Sequence, residues 1–249
     1  MKRLPVSLFA LLLLLALAAC TGKPDLSGLP ELELQGEAGE EYILLDGTRY
    51  DLIPFEVIGS GNSGRWDLRA QSGRRVAVLG QDTIFTVQGD PEEIFLYNVP
   101  ETFRFGGVYR RRFLREDHAL ALPDSAAFDR GTIRTYAGGG LFGKKSVTTC
   151  EFTDETLLAA IFGAWDGSAE TPPVPEGLDR DQRESRALEL WSKEYPWLCF
   201  HLSCTCYPGG VMLFTGRDGG TVCLPAEVTG QLDWEEPGLW QRLTGGWRK

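Results

Sequence analysis

The chain has 249 residues, with 35 acidic and 25 basic side chains and a formal net charge of −10. An excess of negative charge repels phosphates and anionic lipid headgroups, so the composition excludes nucleic acid as a natural partner. Two histidines and six cysteines are the scarce residue types from which metal or thiol chemistry would have to be built.

The N-terminus has the layout of a secretory signal. Lys2 and Arg3 precede an apolar stretch over residues 6–19 that only Ser7 interrupts. A transmembrane helix needs about 20 apolar residues, so this stretch is short for a span. Residues 1–19 are therefore predicted to be a signal peptide that is removed.

The end of that stretch, Leu17-Ala18-Ala19-Cys20, resembles the lipobox of bacterial lipoproteins. In that family the cysteine thiol receives a diacylglycerol and the chain is cut just before the cysteine. The resemblance implies lipidation at Cys20, the membrane as a partner through this N-terminal diacylglycerol, and a lipid-anchored place on the extracytoplasmic face of the cell membrane. An ordinary signal peptide or an N-terminal anchor with a chance cysteine is the alternative.

Removal of residues 1–19 leaves 23 basic and 35 acidic side chains, a formal net charge of −12. Residues 20–40 are rich in glycine, proline and acids, which is typical of a flexible tether. The folded body is expected to begin at Glu41.

Residues 41–152 read as a β-rich domain. Residues 41–53 predict a hairpin, because Asp46-Gly47 suits the positive φ angles of a type I′ turn. Short strand-like runs with turn residues between them follow at 55–58, 65–70, 75–79, 83–88, 93–98, 108–114, 118–122, 131–137 and 145–152.

Residues 153–249 read as an α+β domain, which is either separate or continuous with residues 41–152. Residues 153–162 predict a helix, with acids in its first turn. Asp179 and Gln182 form a capping box, and Leu188, Trp191 and Tyr195 share one helical face up to Pro196, so a second helix is expected there. Runs at 197–206, 211–215 and 221–225 predict a three-stranded meander, and residues 226–243 short helical turns. The fold class is therefore α+β: a mostly antiparallel β body with two helices and a C-terminal meander.

Three segments of the body resemble phrases that recur in uncharacterised lipoproteins of Gram-positive anaerobes. They are residues 85–97, Phe152-Thr-Asp-Glu and Tyr195-Pro-Trp-Leu. The resemblance implies a cell-envelope lipoprotein and no particular activity.

The segment Cys199-Phe-His-Leu-Ser-Cys-Thr-Cys206 holds the residue types of zinc and thiol sites. As a strand it would place Phe200, Leu202, Cys204 and Cys206 on one face, and Cys199, His201, Ser203 and Thr205 on the other. The split separates the potential ligands, so core cysteines are the preferred interpretation. A bulged metal or redox site is the alternative.

Five cysteines remain after lipidation of Cys20: Cys150, Cys199, Cys204, Cys206 and Cys223. An odd number flags a free thiol in an exported protein. A four-residue loop at 207–210 would pair Cys204 with Leu213 and place Cys223 two strands away, beyond the reach of a disulfide.

Two glycine-rich motifs resemble nucleotide-binding loops, but the residues around them do not match those that such loops require. Residues 59–64 match GxGxxG but leave no room for the helix that must follow. Residues 138–146 approach a P-loop, yet Lys145 occupies the position of the required Ser or Thr, and the following residues favour a strand. They are interpreted as a loop and a hairpin turn.

No catalytic motif is found, and the sequence predicts no catalytic, metal-binding or cofactor-binding residue and no cofactor. His118 and the run Arg110-Arg111-Arg112 with Arg115 are expected at the surface. The leading hypothesis is a non-catalytic binding or accessory module of the cell envelope. The alternatives are an extracellular hydrolase acting on envelope or dietary glycans, with a carboxylate pair that sequence spacing cannot locate, and a small metal or thiol-redox lipoprotein.

Overall fold

The described part of the molecule is dominated by mostly antiparallel strands and contains two helices, as the α+β prediction expects. A computed structural model describes residues 26–54, 57, 64–69, 71–100, 111–120, 123–140 and 143–232. The predicted signal peptide, Cys20 and most of the predicted 55–58 strand lie outside these residues. None of the helices in the described residues is long and apolar enough to cross a membrane.

The first eight strands are β1 (Glu31–Leu32), β2 (Tyr42–Leu45), β3 (Thr48–Leu52), β4 (Arg65–Leu68), β5 (Ser72–Leu79), β6 (Asp82–Val87), β7 (Phe95–Pro100) and β8 (Arg112–Arg115). The later elements are β9 (Phe128–Gly140), β10 (Gly143–Phe152), helix α1 (Glu155–Asp166), β11 (Glu184–Ser192), β12 (Leu198–Tyr207), β13 (Val211–Thr215), β14 (Thr221–Cys223) and helix α2 (Ala226–Thr229).

The first sheet curls into a barrel-like layer. Its strand order is β1-β5-β6-β7-β8-β3-β2, and an antiparallel bridge between Gln35 and Tyr42 joins the segment after β1 to β2 at the opposite end. This bridge covers part of the edge that strand pairing with another chain could otherwise extend. Its interior is filled by apolar side chains, among them the fully buried Ile43, Ile84 and Phe113.

The predicted hairpin at residues 41–53 is confirmed. Asp46 has φ 51° and Gly47 has φ 81°, which is the left-handed pair that a type I′ turn requires. Leu45 and Thr48 pair directly across the turn.

The second sheet has the order β10-β9-β11-β12-β13-β14, and β4 pairs with the first half of β12. Its strands therefore come from both sides of residue 152. Helix α1 packs on one face of this sheet through an aromatic cluster, in which the rings of Trp165 and Phe200 lie 4.6 Å apart and those of Phe128 and Phe162 lie 5.4 Å apart. Such ring pairs add specific geometry to a large buried apolar area.

Helix α1 begins where the sequence predicts it. The Asp154 side chain accepts a hydrogen bond from the Leu157 backbone N–H, which satisfies one of the free donors of the first turn. Gly167, at φ 83°, ends the helix.

The predicted second helix is wrong. Asp179 caps only a 3-10 turn at Arg180–Gln182, and residues 184–192 form β11 in the middle of the second sheet. Leu188 and Leu190 both enter the core, which is the spacing of a strand. Pairing with β9 on one side and β12 on the other decides the conformation, and this non-local contribution overrides the helical spacing of Leu188 and Trp191.

The C-terminal meander is confirmed, with one change of register. Tyr207 pairs with Val211, so the connecting loop has three residues, and Cys204 pairs with Phe214 rather than with Leu213. Gly209 and Gly210, both with positive φ, permit this tighter loop. Of the predicted run at 118–122, residues 118–120 are irregular.

A close approach between β9 and β10 explains one glycine. Gly131 lies directly opposite Phe152, and a methyl group at position 131 would overlap the Phe152 ring. We predict that Gly131→Ala lowers the free energy of unfolding by about 1–3 kcal/mol through overpacking, as measured by urea denaturation.

The control for this prediction is the same change in a Phe152→Ala background. Removal of the ring opens the space, so the cost of Gly131→Ala should fall markedly there. An equal cost in both backgrounds would mean that the ring does not constrain position 131.

Candidate functional site

Strand β12 carries the cysteine- and histidine-rich segment, and its two faces separate as predicted. Phe200, Leu202, Cys204 and Cys206 lie in the main hydrophobic core beneath α1. The other face of the strand is polar and looks away from that core.

The polar face continues across neighbouring strands because the register aligns it. His201 pairs with Glu189 on β11, and Glu189 pairs with Thr132 on β9. On the other side, Cys199 pairs with Asp67 on β4. Four strands thus bring chemistry-bearing residues from distant parts of the chain to one surface of the sheet.

Five residues on and beside this face form a network that we call the charged cluster: Asp67, Arg69, Arg112, Arg134 and Glu189. Arg69 Nη2 lies 3.1 Å from Asp67 Oδ2 and 2.8 Å from Glu189 Oε1. Arg134 Nη1 lies 3.6 Å from Glu189 Oε2, and Arg112 Nη2 lies 3.6 Å from Asp67 Oδ1.

Both carboxylates of the charged cluster are out of reach of a dissolved substrate. The Glu189 side chain is 0% exposed and that of Asp67 is 4% exposed. Buried charges persist only when they are paired, and the arginines supply that pairing. The cluster therefore has the arrangement of a structural ion network.

His201 links the charged cluster to Ser203 in a way that opposes nucleophilic catalysis. Arg69 Nη2 lies 3.3 Å from His201 Nδ1, and His201 Nε2 lies 3.1 Å from Ser203 Oγ. A guanidinium can only donate, so Nδ1 accepts and the proton of the neutral ring sits on Nε2. Nε2 then donates to Ser203 and cannot take the hydroxyl proton as a general base must.

The protonation of His201 follows from the same surroundings. Burial, with the positive charges of Arg69 and Arg134, lowers the pKa of His201 to about 4. The ring is therefore neutral at pH 7.

The thiols of β12 are shielded rather than activated. Burial raises the pKa of Cys199 well above its ordinary value, raises that of Cys204 and raises that of Cys206 to about 11. A thiolate is the reactive form, so these cysteines are poor nucleophiles. All five cysteines in the described part of the chain are free thiols. Within the described ranges, no three His, Cys, Asp or Glu side chains come together as a possible metal site.

Other residues singled out by the sequence lie elsewhere. His118 is partly buried, with Nε2 3.0 Å from Arg115 Nη2 and Nδ1 3.4 Å from the Tyr195 hydroxyl. The prediction that Arg112 is solvated is wrong: β8 lies between β7 and β3, and the Arg112 side chain is 5% exposed because it pairs with Asp67. Arg110 lies outside the described residues.

The two glycine-rich motifs occur in strand contexts. Gly64 is followed by strand β4, where a dinucleotide site needs a helix, and residues 59–63 lie outside the described ranges. Gly140 pairs with Gly143, and the described residues of the P-loop-like segment, 138–140 and 143–146, belong to the paired strands β9 and β10; residues 141–142 lie outside the described ranges.

A surface groove of about 640 Å³, which sequence reasoning missed, lies at the end of the C-terminal meander. Its floor includes Val211 and Leu224, and Pro172 and Pro173 of the loop after α1 form one wall. A smaller cavity of about 270 Å³ lies on the other side of the β12–β13 turn, with Arg186 and Cys206 in its lining. Three separate chain segments build the groove, so no local motif announces it.

A local signal for the charged cluster was present in the sequence. Glu189 stands between Leu188 and Leu190, and an acid inside an apolar strand predicts a buried cation as its partner.

No protein-family model matches the chain, and neither a curated protein nor a solved structure matches it.

We predict that His201 makes the protein less stable in mild acid. The unfolded histidine takes up a proton below about pH 6.5, whereas the folded one does so only near pH 4. Stability is therefore lost as the pH falls through this window, by about 2 kcal/mol between pH 7 and pH 5. Urea unfolding at the two pH values measures the loss.

His201→Gln keeps a neutral polar side chain and removes the titration. The difference in unfolding free energy between pH 7 and pH 5 should shrink by about that amount relative to the wild type. An unchanged difference would assign the pH dependence to other groups, such as the acidic surface.

We predict that Cys199, Cys204, Cys206 and Cys223 resist alkylation in the folded protein. Iodoacetamide at pH 7.5 should modify them rapidly only after denaturation, because burial shields each sulfur and raises its pKa. Peptide mass spectrometry gives the extent at each position. Fast modification of Cys199 in the native state, or a mass excess of one zinc ion, would favour the metal or thiol-redox hypothesis instead.

Proposed function

We propose that the protein is a lipid-anchored lipoprotein of the extracytoplasmic membrane face that acts as a non-catalytic binding or accessory module of the cell envelope. Support for the anchor comes from the lipobox-like sequence ending at Cys20. The observation that carries the binding role is the groove of about 640 Å³ beside the meander. Its volume lies in the range of small-molecule and peptide sites.

The walls of the groove favour recognition because they are largely preformed. Pro172, Pro173 and Pro175 line it, and each proline ring fixes one backbone torsion of the loop. Leu224 is 2% exposed and is held in the main core, which anchors the floor. A site that needs little ordering on binding loses less affinity to conformational entropy.

A glycan hydrolase is the second candidate, because Glu170 and Glu227 both line the groove. A glycosidase needs one carboxyl group in a desolvated pocket, where burial raises its pKa and lets it act as an acid. Both glutamates are exposed to solvent. The arrangement therefore supports binding better than glycoside cleavage.

The anchor is tested by Cys20→Ala in the full chain. Without the thiol no diacylglycerol can be attached, so we expect the protein to move from the membrane fraction to the soluble extracytoplasmic fraction. Mass spectrometry of the wild-type N-terminal peptide should show the lipid on Cys20. Membrane association of the variant through residues 4–19 would contradict the lipid anchor.

A further inference from the structure

We infer that the groove binds a cationic peptide segment that carries both basic and apolar residues. This inference rests on the proposed binding function and names the chemical class of its ligand. It is carried by the distribution of charge and apolar surface around the groove.

The charged groups among the described residues that line the groove have one sign. They are Glu170 on the loop after α1 and Glu227 in the first turn of α2. Glu170 precedes the proline wall, and Glu227 belongs to the α2 segment that forms another part of the lining. Among the described lining residues, a basic side chain placed in the groove would therefore meet carboxylates and no cation.

The lining also contains an apolar part. Val211, Leu224 and Pro225 form it, and the Cys223 thiol beside them behaves as a small hydrophobe because burial raises its pKa. Burying apolar side chains against these residues would stabilise a complex through the hydrophobic effect. A lining that holds both carboxylates and apolar side chains matches a peptide that carries both basic and apolar residues.

The field of the whole molecule acts in the same direction. The mature chain carries a formal net charge of −12, which attracts cations from a distance and raises their rate of encounter. An anionic ligand would have to overcome this field as well as the two glutamates.

The test is isothermal titration calorimetry of the full mature chain, residues 20–249, in dodecyl maltoside micelles. Three probes share one apolar frame: acetyl-Leu-Lys-Pro-Lys-Leu-amide and its analogues with glutamine or glutamate in place of both lysines. Titration into empty micelles corrects for partitioning. We expect the lysine peptide to bind most tightly and to weaken as salt is added, because salt screens exposed charges.

Glu170→Gln and Glu227→Gln should each weaken binding of the lysine peptide by about two- to fivefold, the range of an exposed ion pair. Glu176→Gln is the matched control, since Glu176 is an exposed glutamate of the same loop that does not line the groove. It removes the same net charge and should change the affinity less than twofold. These isosteric surface changes leave the core intact, and circular dichroism checks the folding of each variant.

The outcomes distinguish a failure of the cationic ligand class from a failure of the binding function. Binding of the glutamine or glutamate peptide as tightly as the lysine peptide overturns the cationic ligand class but leaves a binding groove. An equal loss in Glu170→Gln and Glu176→Gln also overturns it, because attraction would then come from net charge alone. Binding of none of the three peptides overturns the inference, and hydrolysis of glycans by the wild type, abolished in Glu170→Gln or Glu227→Gln, would overturn the proposed function.

Discussion

Two carboxylates that hardly touch water must be matched by cations, and this requirement links the two sheets. Asp67 on β4 contacts Arg112, which belongs to the barrel-like sheet, while Arg69 joins Asp67 to Glu189 in the second sheet. Removing one partner of such a pair leaves a buried charge and costs about 3–5 kcal/mol. The charged cluster thus joins the two sheets at one point, beside the apolar core that residues of both sheets share.

The same arrangement removes the reactivity that the residue types on β12 would otherwise offer. Arg69 occupies the His201 nitrogen that would have to be held by a carboxylate in a catalytic triad, so the ring donates to Ser203 instead of accepting from it. Burial keeps the proton on the Cys199 sulfur. The pairing and burial that stabilise the polar side chains of this strand also keep them from reacting. Surfaces that are open to solvent, such as the groove, are the places where a ligand could bind.

Turn and cap residues predict local structure correctly, whereas a helical spacing that strand pairing overrides, and features assembled from distant segments, do not reveal the structure. Asp46-Gly47 and the cap Asp154 act within a few residues, so the hairpin and helix α1 could be predicted. Strand β11 was mistaken for a helix because Leu188 and Trp191 fit a helical spacing, although pairing with β9 and β12 decides the conformation. The burial of Arg112 depends on Asp67, 45 positions earlier in the chain. The groove combines residues around positions 172, 211 and 224, and no single-sequence pattern links them.

The position of β1 limits how far the folded body can stand from a membrane. Glu31 opens this strand eleven residues after Cys20. A chain advances at most about 3.6 Å per residue, so the segment between Cys20 and Glu31 spans no more than about 40 Å. With Cys20 lipidated, as proposed, the barrel-like sheet would stay within this distance of the bilayer surface. Partners held in the same layer would be met at effective concentrations far above their average in bulk, of the order of millimolar for a short flexible link. A groove of modest intrinsic affinity would then be occupied mainly by partners held on the same membrane surface, because their local concentration is high. Ligands at low concentration in bulk solution would bind only briefly.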